Sequence, residues 1–382
     1  MIYFNNAATT YPKPESVYQE VDKFFRQEGV NPGRSKDVKT MDINRRIFNT
    51  RQQIAQFFGI KDSSRFIFTS GATESLNLAI KGSLNKNDHV VTTKLEHNSV
   101  IRPLNKLSNE GRITVTYLDF DKNGLIFLDD IKHVIQNNTA LIAISHASNV
   151  LGSVIDIAAL GDFAKNNDII LLVDAAQTAG VLNIDLENLN IDLLSVPGHK
   201  NLYGPPGIGG LYINKELEID TLMEGGTGSN SLNTMQPNIM PDKYESGTLN
   251  TLGIIGLGAG IKFLNETGIE NIYKHEMNLL KRFLRGLRSI KNILIYGPTD
   301  LNKKVGVVSI NLMNLSAARF SHLLQNKYNI SVRGGLHCAP LLHKRMGTDN
   351  KGMVRFSFSY FNTLEEINYA LNAIEMIAGK EG

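Results

Sequence analysis

In the first half of the chain, short apolar runs rich in β-branched residues alternate with helical stretches, the pattern of a βαβ sheet. The predicted strands are Arg65–Thr69, His89–Thr93, Leu141–Ser145, Ile169–Val173, Ile191–Val196 and Gly210–Ile213. Most are continuously apolar, as parallel strands covered on both faces should be. A helix is predicted over Glu74–Leu84. After about residue 265 the pattern changes. Met277–Ile290 predicts a basic amphipathic helix with a solvated Lys/Arg face, and strand-like segments follow at Val305–Asn311, Asn329–Val332 and Met353–Ser359. Thr363 and Glu366 form a capping box that opens a last amphipathic helix through about Ala378. The reading is a larger α/β domain over 15–265 and a smaller α+β domain from 1–14 and 266–382, with no repeat or low-complexity linker between them.

Composition narrows the function classes. With 42% hydrophobic residues the chain can bury a sizeable core, and 40 basic against 37 acidic residues leave a formal charge of only +3. No dense Lys/Arg block points to nucleic acid or a membrane surface as partner. The most apolar window, Leu252–Ile261, has four glycines in ten residues and is far shorter than the roughly 18 residues of a membrane span. Met1–Asn5 lacks the basic stretch and apolar run of a signal peptide. Cys338 is the only cysteine, which excludes an intrachain disulfide and any multi-cysteine metal site. The expectation is a cytoplasmic protein with no metal centre.

The polar peculiarities sit in the loops after the predicted strands, where ligands bind in open α/β sheets. Asp174 ends an apolar strand, and a buried carboxylate there calls for a cationic or hydrogen-bonding partner such as a protonated pyridine nitrogen. Taken alone, it reads more simply as a helix N-cap. Lys200 follows another apolar strand within Pro197-Gly198-His199-Lys200, held between Gly and Pro turns. Schiff-base chemistry needs an amine that loses its proton, and partial burial favours that. A lone lysine is usually a surface charge; its distance from Asp174 and its Gly-His context favour the functional reading. Gly71-Ala72-Thr73, at a strand-to-helix junction, could cradle a phosphate with hydroxyls and free N–H groups, or could be an ordinary cap. His97 could stack on a cofactor ring and relay protons, against the commoner structural histidine. Asn149 could contact a ring oxygen or simply form a turn. Arg333, His337 and Cys338 share a Gly-rich loop; a cation beside a thiol favours nucleophilic chemistry, while a lone cysteine is usually a small buried hydrophobe. Arg355, in an alternating strand, suits a carboxylate or a solvated face equally well.

In chain order these segments resemble the class V aminotransferase family, and within it the second group of cysteine desulfurases and selenocysteine lyases, whose nucleophile sits in a short His-Cys-Ala loop. The resemblance runs from Asn6-Ala7-Ala8-Thr9-Thr10 to Tyr360-Phe361-Asn362-Thr363 through about eight motifs in the family's order. It implies an α/β fold of pyridoxal phosphate (PLP) fold-type I, with a large, mostly parallel sheet of the seven-stranded type, and a homodimer. It also implies that Lys200 carries PLP as a Schiff base, that Asp174 pairs with the ring nitrogen and Gln177 with the phenolic oxygen, and that His97 stacks on the ring. Ala72, Thr73 and His199 would lie at the phosphate, with Thr248 reaching a neighbouring subunit's phosphate. Arg355 and Asn149, with Arg333 nearby, would hold the substrate carboxylate, and Cys338 would receive sulfur from L-cysteine or a related amino acid before passing it to an acceptor protein. Selenocysteine lysis, another class V reaction, and a non-catalytic sulfur-accepting scaffold are the alternatives. Several positions depart from the family pattern. Pro197 stands in place of a phosphate-binding Ser or Thr, Ala175 in place of Gly, and Asn5 in place of Asp. The loop 31–37 lacks a histidine, and Gly335-Leu336 replaces a Thr-Gly-His-like approach to the cysteine. These departures point to a divergent branch.

Overall fold

The structure, a computed structural model, describes residues 1–33, 37–229 and 232–381. Part of the loop 31–37 lies outside the described residues. In chain order the strands are β1 (Ile2–Tyr3), β2 (Phe66–Thr69), β3 (Asp88–Thr93), β4 (Ile113–Leu118), β5 (Thr139–Ser145), β6 (Ile170–Asp174) and β7 (Leu193–Pro197). They continue with β8 (Gly209–Ile213), β9 (Ile293–Tyr296), β10 (Val307–Leu312), β11 (Ile330–Ser331), β12 (Arg333–Gly335) and β13 (Met353–Ser357). Seven of them form one sheet in the order β2-β8-β7-β6-β5-β3-β4, and only β8 runs against its neighbours.

The mostly parallel sheet follows from its sequence. Along β5, Leu141 and Ala143 face one apolar core while Ile142 and Ile144 face another, and β6 alternates Leu171, Leu172 and Val173 in the same way. Both faces are covered, so the strands read as unbroken apolar runs. Besides the very short β1 and β12, two strands escaped the sequence pattern. β4 is an edge strand whose middle residues are partly exposed, so Thr114 and Thr116 dilute its apolar signal. β9 is the edge of the second sheet and equally short of buried positions.

The glycine-rich window is the core of a helix, Thr251–Thr267, begun by the Asn250 side chain accepting from the Gly253 N–H. Glycine weakens a helix, yet here it permits contact. A Cβ at Gly260 would collide with the Leu202 carbonyl, and one at Gly256 would stand 2.7 Å from Pro205. The bare face thus packs on the turn that follows Lys200.

The second sheet, β12-β13-β10-β9, is antiparallel and packs with helices Ile269–Leu287, Ala317–Tyr328 and Leu364–Glu381. Phe283, Phe320, Phe356 and Phe358 centre its core, and Phe4 joins them, edge-on to Phe358 at 5.4 Å. The strand expected over Asn329–Val332 is split: β11 pairs in parallel with β1, and after Val332 the chain enters β12 of the larger sheet. The boundary expected at 265–266 falls inside the last turn of helix Thr251–Thr267.

One buried group in this framework works against stability. Glu276, on helix Ile269–Leu287, is 2% exposed and its Oε1 has no hydrogen-bond partner among the described residues. Burial pushes its carboxyl up to about 8. The unfolded chain releases that proton at lower pH, so stability declines as pH rises from the ordinary carboxyl range through about 8. Glu276→Gln, neutral at every pH, should therefore stabilise the protein at pH 8–9 by on the order of 2 kcal/mol, with little gain near pH 5. Thermal melts across pH check this, and an equal effect at both ends would refute it.

Candidate active site

The carboxyl ends of β2, β3, β5, β6 and β7 open onto one cavity of about 330 Å³. Its walls include Ala72, Thr73, His97, Asn149, Asp174, Gln177, His199 and Lys200 from the large sheet's loops, and Arg333 and Arg355 from the second sheet. The structure thus brings together residues spread over some 280 positions of sequence. A separate cleft of about 470 Å³, around Lys61, Asp168 and Asp192, lies by the amino ends of β6 and β7, away from these groups.

Asp174 closes β6, buried, with Oδ1 accepting from the Ala176 N–H at 2.9 Å. It therefore does make the cap-like contact expected of a turn residue, and it also faces the cavity. Burial raises its carboxyl, and the Lys200 ammonium opposes the rise. At Lys200, burial outweighs the pull of Asp174 and brings the ammonium down to about 8, with Arg355 and Arg333 adding to the fall. An amine of that kind is readily deprotonated, as condensation with a carbonyl requires.

The turn carrying Lys200 is fastened from the N-terminal segment. The His199 carbonyl accepts from Thr9 Oγ1 at 3.0 Å, the Thr10 N–H at 3.3 Å and Lys13 Nζ at 2.5 Å, and Thr10 Oγ1 donates to the Lys200 carbonyl at 2.9 Å. Sequence reasoning missed Lys13, whose ammonium meets the His199 carbonyl only through tertiary folding. The His199 ring is lowered to about 4 by burial and by Lys200 and Lys13, so it is neutral.

Gly71 precedes helix Ala72–Ser83 with φ of +152°, and Thr73 opens toward the cavity from the first turn. Free N–H groups and a hydroxyl there suit an anion. His97 caps helix Asn98–Asn109, its Nδ1 accepting from the Ser99 N–H at 3.1 Å. Burial and the cations Lys200, Arg333, Arg355 and Arg102 push it down to about 4. The Gln177 amide donates to the Ala7 carbonyl at 3.2 Å and lines the cavity.

Arg333 and Arg355 stand directly opposite each other on β12 and β13. Arg355 is completely buried; Nη1 donates to the Asn149 carbonyl at 2.9 Å and Nη2 to Asn5 Oδ1 at 3.0 Å, while Nε has no partner among the described residues. No carboxylate bonds either guanidinium among the described residues. Burial, with Arg333 second, pushes Arg355 down to about 9, so it still carries charge at neutral pH. A paired, unneutralised cation of this kind is a receptor for an anionic group.

Cys338 lies just behind this wall. Arg333 Nη2 donates to its Sγ at 3.4 Å, and the Asn98 N–H holds its carbonyl at 2.7 Å. Asn149 Nδ2 grips the preceding His337 carbonyl at 2.8 Å. The thiol is half-buried, and its residue and His337 both have left-handed backbone, with φ of +59° and +51°. Of the expected residues, Cys338 reaches the cavity wall only through Arg333, and Thr248 lies elsewhere, in a cleft of about 590 Å³ with Gly226, Thr227 and Glu245. No group of three or more His, Cys, Asp or Glu residues placed to hold a metal occurs among the described residues, and no described helix is long and apolar enough to cross a membrane.

The comparisons agree with this geometry. The family model for class-V aminotransferases matches residues 2–370. A probable cysteine desulfurase of Pyrococcus abyssi is 35% identical, over 98% of this chain and 94% of its own length. The cysteine desulfurase IscS of Vibrio vulnificus is 32% identical, over 99% of this chain and 93% of its own. Among solved structures, the cysteine desulfurase of Thermococcus onnurineus superimposes with a TM-score of 0.93 at 33% identity, covering 99% of this chain and 94% of its own. The Escherichia coli cysteine desulfurase CsdA gives 0.90 at 26% identity, covering 100% and 95%.

The lowered Lys200 ammonium makes a measurable difference. When cofactor-free protein is mixed with PLP, the rate of forming the yellow, borohydride-reducible adduct should rise with pH through a midpoint near 8, because only the neutral amine condenses. Lys200→Ala should form none. A midpoint above 10, or label on another lysine, would overturn the assignment.

Proposed function

The chain belongs to the class-V aminotransferase family, and on that premise we propose that it is a PLP-dependent cysteine desulfurase, moving sulfur from L-cysteine onto Cys338 and releasing L-alanine. One observation carries this reading: Arg333 both lines the cavity and donates to Cys338 Sγ, so the thiol is tied to the wall where an amino acid would sit. The cavity also fits the cofactor by its donor set. A strand-end lysine, a buried carboxylate near it, a helix N-terminus with a hydroxyl, and an acid-free arginine pair surround one volume of about 330 Å³.

PLP, when bound, withdraws electrons from the α-carbon of an attached amino acid. The chain's residues supply the rest. Lys200 would hold the cofactor through its amine and later carry the proton between carbon atoms. Asp174 would meet the ring nitrogen, His97 the ring face, Gln177 the phenolic oxygen, and Ala72, Thr73 and His199 the phosphate. Arg355 would take the substrate carboxylate with Asn149 beside it. The Cys338 thiolate would then attack the substrate sulfur: an S–S bond forms, the C–S bond breaks, and its electron pair stays with carbon, which takes a proton and leaves as alanine. The persulfide on Cys338 awaits an acceptor protein.

Asn5 gives this site a particular balance. Its neutral amide oxygen receives Arg355 without cancelling its charge, where a carboxylate would compete with the substrate. Asn5→Asp should therefore raise the KM for L-cysteine roughly ten-fold, equivalent to about 1.4 kcal/mol, and leave kcat nearly unchanged. Steady-state kinetics test this, and an unaltered KM would refute it.

The enzyme would be a homodimer, because Thr248 lies away from its own chain's cavity and would complete the partner's phosphate site. Sedimentation should show a dimer, with Thr248→Ala losing PLP more readily; a fully active monomer would contradict this. The decisive assay concerns the thiol. Cys338→Ser should keep the PLP spectrum and bind L-cysteine, yet release almost no alanine, and persulfide labelling of the unaltered protein has one possible site. Desulfuration by the serine variant at the full rate would return the reading to a generic class V lyase or aminotransferase.

A further inference from the structure

Ser99 has no place in the roles assigned above, although it lines the same cavity. It is the second residue of helix Asn98–Asn109, and its backbone N–H donates to His97 Nδ1 at 3.1 Å. An N–H can only donate, so Nδ1 must be a bare acceptor and the ring proton sits on Nε2. The Ser99 hydroxyl lies 2.9 Å from that same Nδ1 and 2.8 Å from Thr73 Oγ1. A continuous chain, Thr73–Ser99–His97, therefore joins the helix start that faces the cavity to the imidazole that lines it.

The chain has two polarities. In one, Thr73 donates to Ser99, and Ser99 donates to His97; the Thr73 proton is then turned away from the cavity. In the other, Ser99 donates to Thr73, which frees the Thr73 proton for an anion and leaves Nδ1 held by the backbone N–H alone. An anion at the start of helix Ala72–Ser83 accepts hydrogen bonds and donates none when fully ionised, so it selects the second arrangement.

We infer that Ser99 is a positioning residue that couples anion binding at Thr73 to the hydrogen bonding, and hence the basicity, of His97. The inference rests on the reading of Thr73 as part of a phosphate site only for the identity of the anion. The link itself stands on the three contacts. Lys200, Arg333, Arg355 and Arg102 also face His97 electrostatically, but they act on it whether or not the Ser99 hydroxyl is present. Pro197, which brings no hydroxyl to the cradle, leaves Thr73 the more dependent on a partner that orients its proton.

The test is a double-substitution cycle read at His97. In histidine-selective ¹⁵N spectra of the full-length PLP-bound protein, with His97 assigned through His97→Asn, Thr73→Val should move the Nδ1 resonance when Ser99 is present. In a Ser99→Ala background the same change should leave it unmoved. Ser99→Ala should also release PLP roughly five-fold faster, the effect of one ordinary hydrogen bond. An equal response to Thr73→Val in both backgrounds would falsify the link. Inorganic phosphate, added to protein stripped of PLP, gives the independent arm. A His97 resonance that responds in the wild type and not in Ser99→Ala supports the coupling. No response in the wild type, with the Thr73→Val cycle intact, overturns the phosphate reading of Thr73 and leaves the Ser99 link standing.

Discussion

The constraint on which the site depends is the confinement of positive charge. Arg333 and Arg355 face each other across adjacent strands, Lys200 stands at the same cavity, and no carboxylate among the described residues neutralises the guanidinium pair. Like charges opposite one another weaken a sheet, so this corner is held by other means: the Asn149 carbonyl, the Asn5 amide and the antiparallel ladder of β10 with β13. The arrangement makes sense as a receptor that is completed by what it binds. An anion that bonds the folded protein and not the unfolded chain stabilises it by mass action, so an anionic ligand bound here would act as a missing part of the electrostatic core.

The same confinement explains the titration behaviour around the cavity. Lys200 is brought to about 8 and His97 and His199 to about 4 because burial and neighbouring cations act together. Both histidines stay neutral, and at His97 the Ser99 N–H fixes Nδ1 as the acceptor. The amine is poised to lose its proton, and Asp174 keeps it from losing that proton too easily. The charge balance thus separates one amine that can shed its proton from two neutral imidazoles within one set of loops.

Much of this was legible in the sequence because it is local. Asp174 and Lys200 each end an apolar strand beside turn residues, and a strand end fixes where a side chain points without knowledge of the rest of the fold. What escaped the sequence is relational. Ser99 matters because two loops bring Thr73 and His97 to its hydroxyl, and Lys13 because a carbonyl 186 positions away lies beside it. The reversed direction of β8 leaves no trace in its composition, and the edge strand β4 hides behind its threonines. The glycine window gave only a negative signal, a segment too short for a membrane, whereas its use is the close packing of a helix on the Lys200 turn.

The backbone around Cys338 has a consequence for delivery. Two successive residues, His337 and Cys338, are held in left-handed conformation, and both their carbonyls are clipped, one by the Asn149 side chain and one by the first N–H of helix Asn98–Asn109. A segment pinned at consecutive peptide units cannot swing out as a long arm. If sulfur is loaded there as proposed, it would stay within a side chain's length of where it was made. Traffic would then run inward: a carrier would have to present its own reactive group at the mouth of the cavity, and its fit to that rim, more than any motion of the loop, would decide who is served.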